Sequence, residues 1–270
     1  MIAGVGIALC VFNEISLNQS LERNRAALEL TVRGPNNAIR LGEPLDLDLQ
    51  VTNKSNERIL FRNAVDPEVG FVKVLISEGD TSHFRRYIGP RWGKSDVEYA
   101  PTNLAPNANL SHSVRILWHA APERSASIPA DARENTSPPM LLSNYAFTKP
   151  GSYWISAEYT IQPSGGGDLV VLQSQPICIN VLEPSGEDLE VWNDIKGDGN
   201  FALLLHEGAV AIPDYKADER AAFQKRVDRL IANHPNSSYT EMLRQSLAKL
   251  RAHDEKVEEG KKQIRMQKSH

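Results

Sequence analysis

The densest group of chemically capable side chains lies at residues 83–92 (HFRRYIGPRW), where Phe84, Arg85, Arg86, Tyr87, Arg91 and Trp92 cluster beside His83. Guanidinium groups next to aromatic rings are the mixture that dominates protein–protein contacts. The same rings could stack on sugars. If the segment is instead a strand, Phe84 and Arg86 face one way and Arg85 and Tyr87 the other. Aromatics then enter the core while arginine stems cover its edge. These six residues form the candidate binding patch, and the sequence leaves the three readings open.

Other chemistries lack their residues. No G-x-S-x-G turn offers an activated serine, and the seven histidines are scattered among loops and tail. H-E-x-x-H and C-x-x-C pairs are missing, as is any glycine-rich phosphate loop. The run Asp194-Ile195-Lys196-Gly197-Asp198-Gly199-Asn200 has the outline of a calcium loop. Lys196 occupies the third ligand position, however, and Leu205 sits where a bidentate glutamate belongs. A turn between two helices accounts better for its glycines. Asp46 and Asp48 share one face of a strand and could act as paired carboxylates, but solvation explains them more simply. His112, among apolar neighbours, reads as a structural residue. No catalytic residue, metal site or cofactor is expected.

The elements around these residues come in two kinds. Residues 45–51 (LDLDLQV) alternate cleanly, with Leu45, Leu47, Leu49 and Val51 on one face and Asp46, Asp48 and Gln50 on the other, as in a strand with one wet side. Further strands are predicted at 27–32, 58–62, 69–77, 84–88, 96–100, 110–118, 148–161 (opening with a Pro-Gly turn), 169–173 and 177–182. On the strand at 110–118, His112, Val114, Ile116 and Trp118 share a face. Residues 119–143, rich in Ala, Ser and Pro, form a connection long enough to be either disordered or functional.

After Pro184 the period changes to helical. Ser185-Gly186-Glu187-Asp188 opens a helix that stops near Gly197, and a short helix runs from Asn200 to His206, ended by Gly208. A stronger helix begins near Asp218, with Phe223, Val227, Leu230 and Ile231 on one stripe. Ser238 and Glu241 have the spacing of a capping box, which predicts another helix with Tyr239, Met242, Leu243, Leu247 and Leu250 inward. The expected organisation is an apolar leader and linker at 1–25, an immunoglobulin-like β-sandwich at 26–183, a helical region at 184–252, and a charged, frayed tail at 253–270. The fold class is mainly β with an α appendage: an antiparallel sandwich followed by a C-terminal helical hairpin.

Composition narrows the function further. Net charge is −4, against a nucleic-acid partner, with the chain from Pro213 onward at +4 and the remainder at −8. The first twelve residues (MIAGVGIALCVF) are nearly all apolar, too short to span a bilayer, and similar to the hydrophobic centre of an export signal. No Lys or Arg precedes them, so an N-terminal strand or plain anchor is the alternative. Export predicts a periplasmic, secreted or leader-anchored protein that meets the membrane only through that leader. Cys10 in the leader and Cys178 in a strand make a stabilising disulfide improbable, and Cys178 reads as a small buried hydrophobe.

Two resemblances add to this. The segments LGEPLDLDLQVTNKSNERI, NLAPNANL and KPGSYWISAEY resemble bacterial immunoglobulin-like modules, a layout shared with the intracellular proteinase-inhibitor family. The helices joined by ANHPNSSY at 232–239 are similar to a tetratricopeptide-like pair. A single pair cannot bury its own faces, so these helices must pack on the sandwich, on each other or on a partner. The resulting expectation is a non-catalytic protein-interaction module with a protein partner. The alternatives are a proteinase inhibitor acting through 119–143, and a carbohydrate-binding module using Tyr87 and Trp92.

Overall fold

Four consecutive inward residues of one strand, Leu45, Leu47, Leu49 and Val51, have no solvent exposure at all. They belong to β3 (Leu45–Asn53), which lies between β1 (Leu28–Arg33) and β8 (Asn109–Ile116) in an antiparallel three-stranded sheet. In this computed structural model the described residues are 27–34, 38–61, 65, 71–90, 102–119, 144–161 and 169–267. The expected strand at 96–100, most of the 119–143 connection and the 1–25 leader lie outside them.

A second sheet is built around the longest strand, β11 (Gly151–Ile161), whose Tyr153, Ile155, Ala157, Tyr159 and Ile161 point inward. On one side β11 pairs with β5 (Val72–Glu78), which pairs in turn with the two-residue β6 (Arg85–Arg86). On the other it pairs with β12 (Val170–Gln173) and β13 (Ile177–Leu182). Beyond β13 lies β2 (Ala38–Arg40), and this pair is parallel. The expectation of a purely antiparallel sheet is corrected here. No tight turn joins β2 to β13, so no hairpin imposes the antiparallel direction. Two further pairs, β4 (Ile59–Phe61) with β7 (Thr102–Leu104) and β9 (Trp118–His119) with β10 (Asn144–Tyr145), are the remaining strands among the described residues. The sheets are mixed and open, and with the helices they make a protein of both strand and helix.

The turn after β3 closes around Asn53, which is fully buried. Its amide donates to the carbonyls of Glu57 at 2.7 Å and Leu104 at 3.0 Å, and its side-chain oxygen accepts from Ser55 N–H at 2.9 Å. A buried amide satisfied on both sides fixes a turn that would otherwise leave backbone groups stranded.

Four helices follow: α1 (Glu187–Ile195), α2 (Gly199–Glu207), α3 (Ala217–Asn233) and α4 (Ser238–Gln267). Their apolar residues, including Val191, Phe201, Leu204, Val227 and Leu243, continue the core of the sheets. The helices therefore pack both on the sheets and on each other. Gly42, at φ +81°, lets the chain approach Trp192 so closely that an added Cβ would stand 2.6 Å from the indole. Tyr145 meets the same indole edge-on at 4.8 Å and donates its hydroxyl to the Ile195 carbonyl at 3.3 Å. The Tyr239 hydroxyl donates to the Leu41 carbonyl.

Two helix expectations are corrected. Residues 253–267 are not frayed, because α4 runs on to Gln267 with Asp254 held by Arg220 and Gln224 from α3. The capping box does not form either. Glu241 pairs with Arg244 and Gln245, while Asp188 of α1 accepts from the Ser238 N–H at 2.7 Å and the Ser237 hydroxyl at 2.8 Å. The carboxylate that caps α4 thus comes from another helix. Cys178 is half-exposed rather than buried.

Candidate functional site

Two sheet edges face each other across a cleft of about 460 Å³. His112, Ser113, Val114 and Arg115 of β8 form one wall; Val72 and Val74 of β5 with the run Arg86–Pro90 form the other. Asp46 from β3, His206 and Glu207 from α2, and Lys249 from α4 close one end.

At that end Asp46 and His206 are both tied to Arg115. Arg115 donates from Nε to Asp46 Oδ1 at 2.6 Å and from Nη2 to Oδ2 at 2.8 Å, a two-pronged ion pair. Its third nitrogen donates to the His206 carbonyl at 3.3 Å. The hydrogen bond from Arg115 holds the Asp46 carboxyl below the usual range. Asp46 was expected to be simply solvated. The cross-strand register places it opposite Arg115, and only Asp48 is fully on the wet face.

His206 is 8% exposed and its Nδ1 accepts from the Trp118 N–H at 3.3 Å. Burial, helped by the Arg115 charge, pushes its pKa down to about 4, so the ring is neutral near pH 7. These groups join helix to sheet, and none is arranged as a nucleophile with its base.

Of the candidate patch, Arg85 and Arg86 are exposed and Phe84 is half-buried. Arg91 and Trp92 lie outside the described residues. Tyr87 follows the strand reading and enters the core, leaving the binding patch: it is 8% exposed and burial raises its pKa far above the ordinary tyrosine value. Its hydroxyl donates to the Trp118 carbonyl at 2.7 Å, with the Arg115 carbonyl also in reach at 3.4 Å. Its ring stacks on His119, with centroids 5.6 Å apart. The Ile88 N–H donates to His119 Nδ1 at 3.1 Å, and burial lowers the pKa of that imidazole. Arg85 reaches the Ala146 carbonyl at 3.4 Å. The segment 85–88 thus lies against both described flanks of the 119–143 connection. Sequence alone carried no signal for this meeting, since it depends on which strands pair.

A wider basin of about 1180 Å³ opens among the helices, and several of its charges are paired. Asp198 caps α2 through the Asn200 N–H at 3.0 Å and accepts from Arg226 at 2.7 Å. Arg226 also donates to the Asp194 carbonyl at 2.8 Å and lies over the Phe201 ring at 4.8 Å. A guanidinium therefore occupies the loop that resembled a calcium site. Asp214, His253 and Asp254 bring potential ligand atoms within 4.8 Å of one another, but Arg220 binds Asp254 and approaches Asp214 at 3.5 Å. Among the described residues no helix is long and apolar enough to cross a membrane.

No protein family and no curated protein matches this chain. Among solved structures, a β-glucosidase from Erythrobacter marinus is similar at 13% identity and TM-score 0.26, over 57% of this chain and 15% of that one. The sporulation control protein Spo0M of Bacillus subtilis is similar at 10% identity and TM-score 0.27, over 62% and 54%. The CARDB domain of a Pyrococcus furiosus protein, solved with di-metal ions, is similar at 12% identity and TM-score 0.24, over 57% and 87%. The chain thus spans less than two thirds of the first two of these structures. At such TM-scores the likenesses bear neither on fold nor on function.

Proposed function

We propose that this chain is a non-catalytic protein-interaction module, exported or attached to a bacterial envelope, in which an immunoglobulin-like β-sandwich carries a docked helical region. The sandwich reading is supported by the two sheets, β1-β3-β8 and the one centred on β11, whose inward faces share one core. One observation carries the interaction reading. Arg85, Arg86 and the half-buried Phe84 stand beside the described flanks of a long connection, fixed there by Tyr87, Ile88 and Arg85. Rigid elements thereby present exposed arginines on the edge strand of the β11 sheet, beside a long connection of the kind that carries binding in such scaffolds.

Photocrosslinking tests this. With p-benzoylphenylalanine at position 84, ultraviolet light in cells should give an adduct with one distinct protein, in the extracytoplasmic fraction. Adducts with this chain alone, or adducts unchanged by Arg85→Glu and Arg86→Glu together, refute the reading.

A second reading, a proteinase inhibitor, is favoured by the β9–β10 pair, which clamps the two ends of the connection through Trp118 opposite Tyr145. Anchored ends are what a protease-directed loop requires. Subtilisin-like and trypsin-like activities left untouched at micromolar excess dismiss it.

A further inference from the structure

We infer that the cleft between β8 and the β5–β6 edge receives an extended, acidic peptide segment, which adds to β8 as a further strand. The inference rests on the interaction reading above and deepens it by naming the partner's chemistry.

The lining of the cleft is the first reason. A strand face contributes alternate residues to a cavity, whereas four consecutive β8 residues, His112 to Arg115, and five consecutive residues, Arg86 to Pro90, line this one. The cleft therefore runs along backbone edges.

The second reason is hydrogen-bond direction. Among the described residues β8 pairs only with β3. The bonds from Asn53 N–H to the Ala108 carbonyl at 3.0 Å and from Asn107 N–H to the Asn53 carbonyl at 2.9 Å set the phase of that ladder. Alternation then turns the backbone groups of Leu110, His112, Val114 and Ile116 toward β3. Those of Ser111, Ser113 and Arg115 turn toward the cleft. The Arg115 carbonyl, 3.4 Å from the Tyr87 hydroxyl, points accordingly. Tyr87 closes the far end of the edge and leaves Ser111 and Ser113 to an incoming strand. Strand addition to such an edge is a recurring mode of peptide capture.

Charge selects the peptide. Asp46 and Arg115 neutralise each other, so the exposed Arg86 and Lys249 outnumber Glu207 around the cleft. Aspartate or glutamate on the peptide suits them. The volume lies within the roughly 300–1,000 Å³ of ordinary ligand sites.

The test selects random dodecapeptides displayed on phage against the immobilised full chain, then maps synthetic copies by hydrogen exchange. Acidic peptides should slow exchange within 109–116. Ser113→Pro, which deletes one outward donor without touching the β3 ladder, should weaken them at least tenfold at unchanged melting temperature. Peptides N-methylated at alternate residues should fail on the wild-type chain, a readout that does not depend on how the variant folds. Selected peptides that protect another segment overturn the edge assignment and leave the interaction reading standing. Absence of any selected peptide, together with no photocrosslinked partner, overturns both.

Discussion

The backbone N–H of Trp118 donates to Nδ1 of His206 at 3.3 Å, across the junction where helix meets sheet. An imidazole can accept at that nitrogen only while it is unprotonated there. Charged groups surround it: Arg115 from β8, Asp46 from β3 and the adjoining Glu207, with Lys249 from α4 at the same end of the cleft.

Acid should therefore loosen the junction. His206 has its pKa lowered from 6.5 to about 4, so the folded state binds its proton less readily than the unfolded chain. The stability it contributes is complete above pH 6.5 and declines as pH falls toward 4, by on the order of 3 kcal/mol. Melting temperature measured from pH 7.5 to 4 should fall across that window, and His206→Gln should flatten the slope. A wild-type slope unchanged by the substitution counts against this account.

The Asp46–Arg115 pair predicts an asymmetry. Both side chains are partly exposed, at 47% and 35%, so solvent screens their attraction. Asp46→Asn should cost about 1 kcal/mol. Arg115→Met also leaves the His206 carbonyl without its donor and should cost about 2 kcal/mol. Urea unfolding of the two variants distinguishes them, and equal losses would mean that the bond to α2 contributes nothing.

What could be read from the sequence follows from how much information each element carries locally. Seven residues of β3, 45–51, show their alternation in full, and Phe223, Val227 and Leu230 show the helical period of α3 equally plainly. Strands of two or three residues, such as β6 and β9, are too short to display a period. Their positions are dictated by what they pair with. The place of Tyr87 stayed open between core and surface because its burial depends on Leu117 and Trp118, about thirty residues away. Asp46 looked solvated because its partner lies on another strand. The junction histidine gave no sign at all, being one helical residue before a glutamate and a glycine.

Gly42 marks a contact where size is decisive. Its φ of +81° strains any residue with a side chain, and an alanine Cβ would meet Trp192 at 2.6 Å. Gly42→Ala should cost about 2–4 kcal/mol, from backbone strain plus overpacking. Trp192→Leu, which makes room, should show a favourable coupling with it in a double-mutant cycle. Additive losses would mean that the two residues do not press on each other.

The first turn of α4 offers a choice between two carboxylates. Glu241 has the capping-box spacing, three residues after Ser238, but it points to Arg244 and Gln245. Asp188 lies fifty residues away in sequence and takes the Ser238 N–H and the Ser237 hydroxyl. Glu187 beside it accepts from the Asn236 N–H at 3.1 Å, so the start of α1 caps the start of α4 from outside. Negative charge at a helix start satisfies donors that have no partner within the helix, whichever residue supplies it. Asp188→Ala should therefore cost about 1–2 kcal/mol, the loss of a cap that also ties two helices together. Glu241→Ala should lower the melting temperature far less, since it breaks only an exposed pair within one helix. Thermal denaturation of both variants decides between local and long-range capping: a larger loss at Glu241 would restore the capping box.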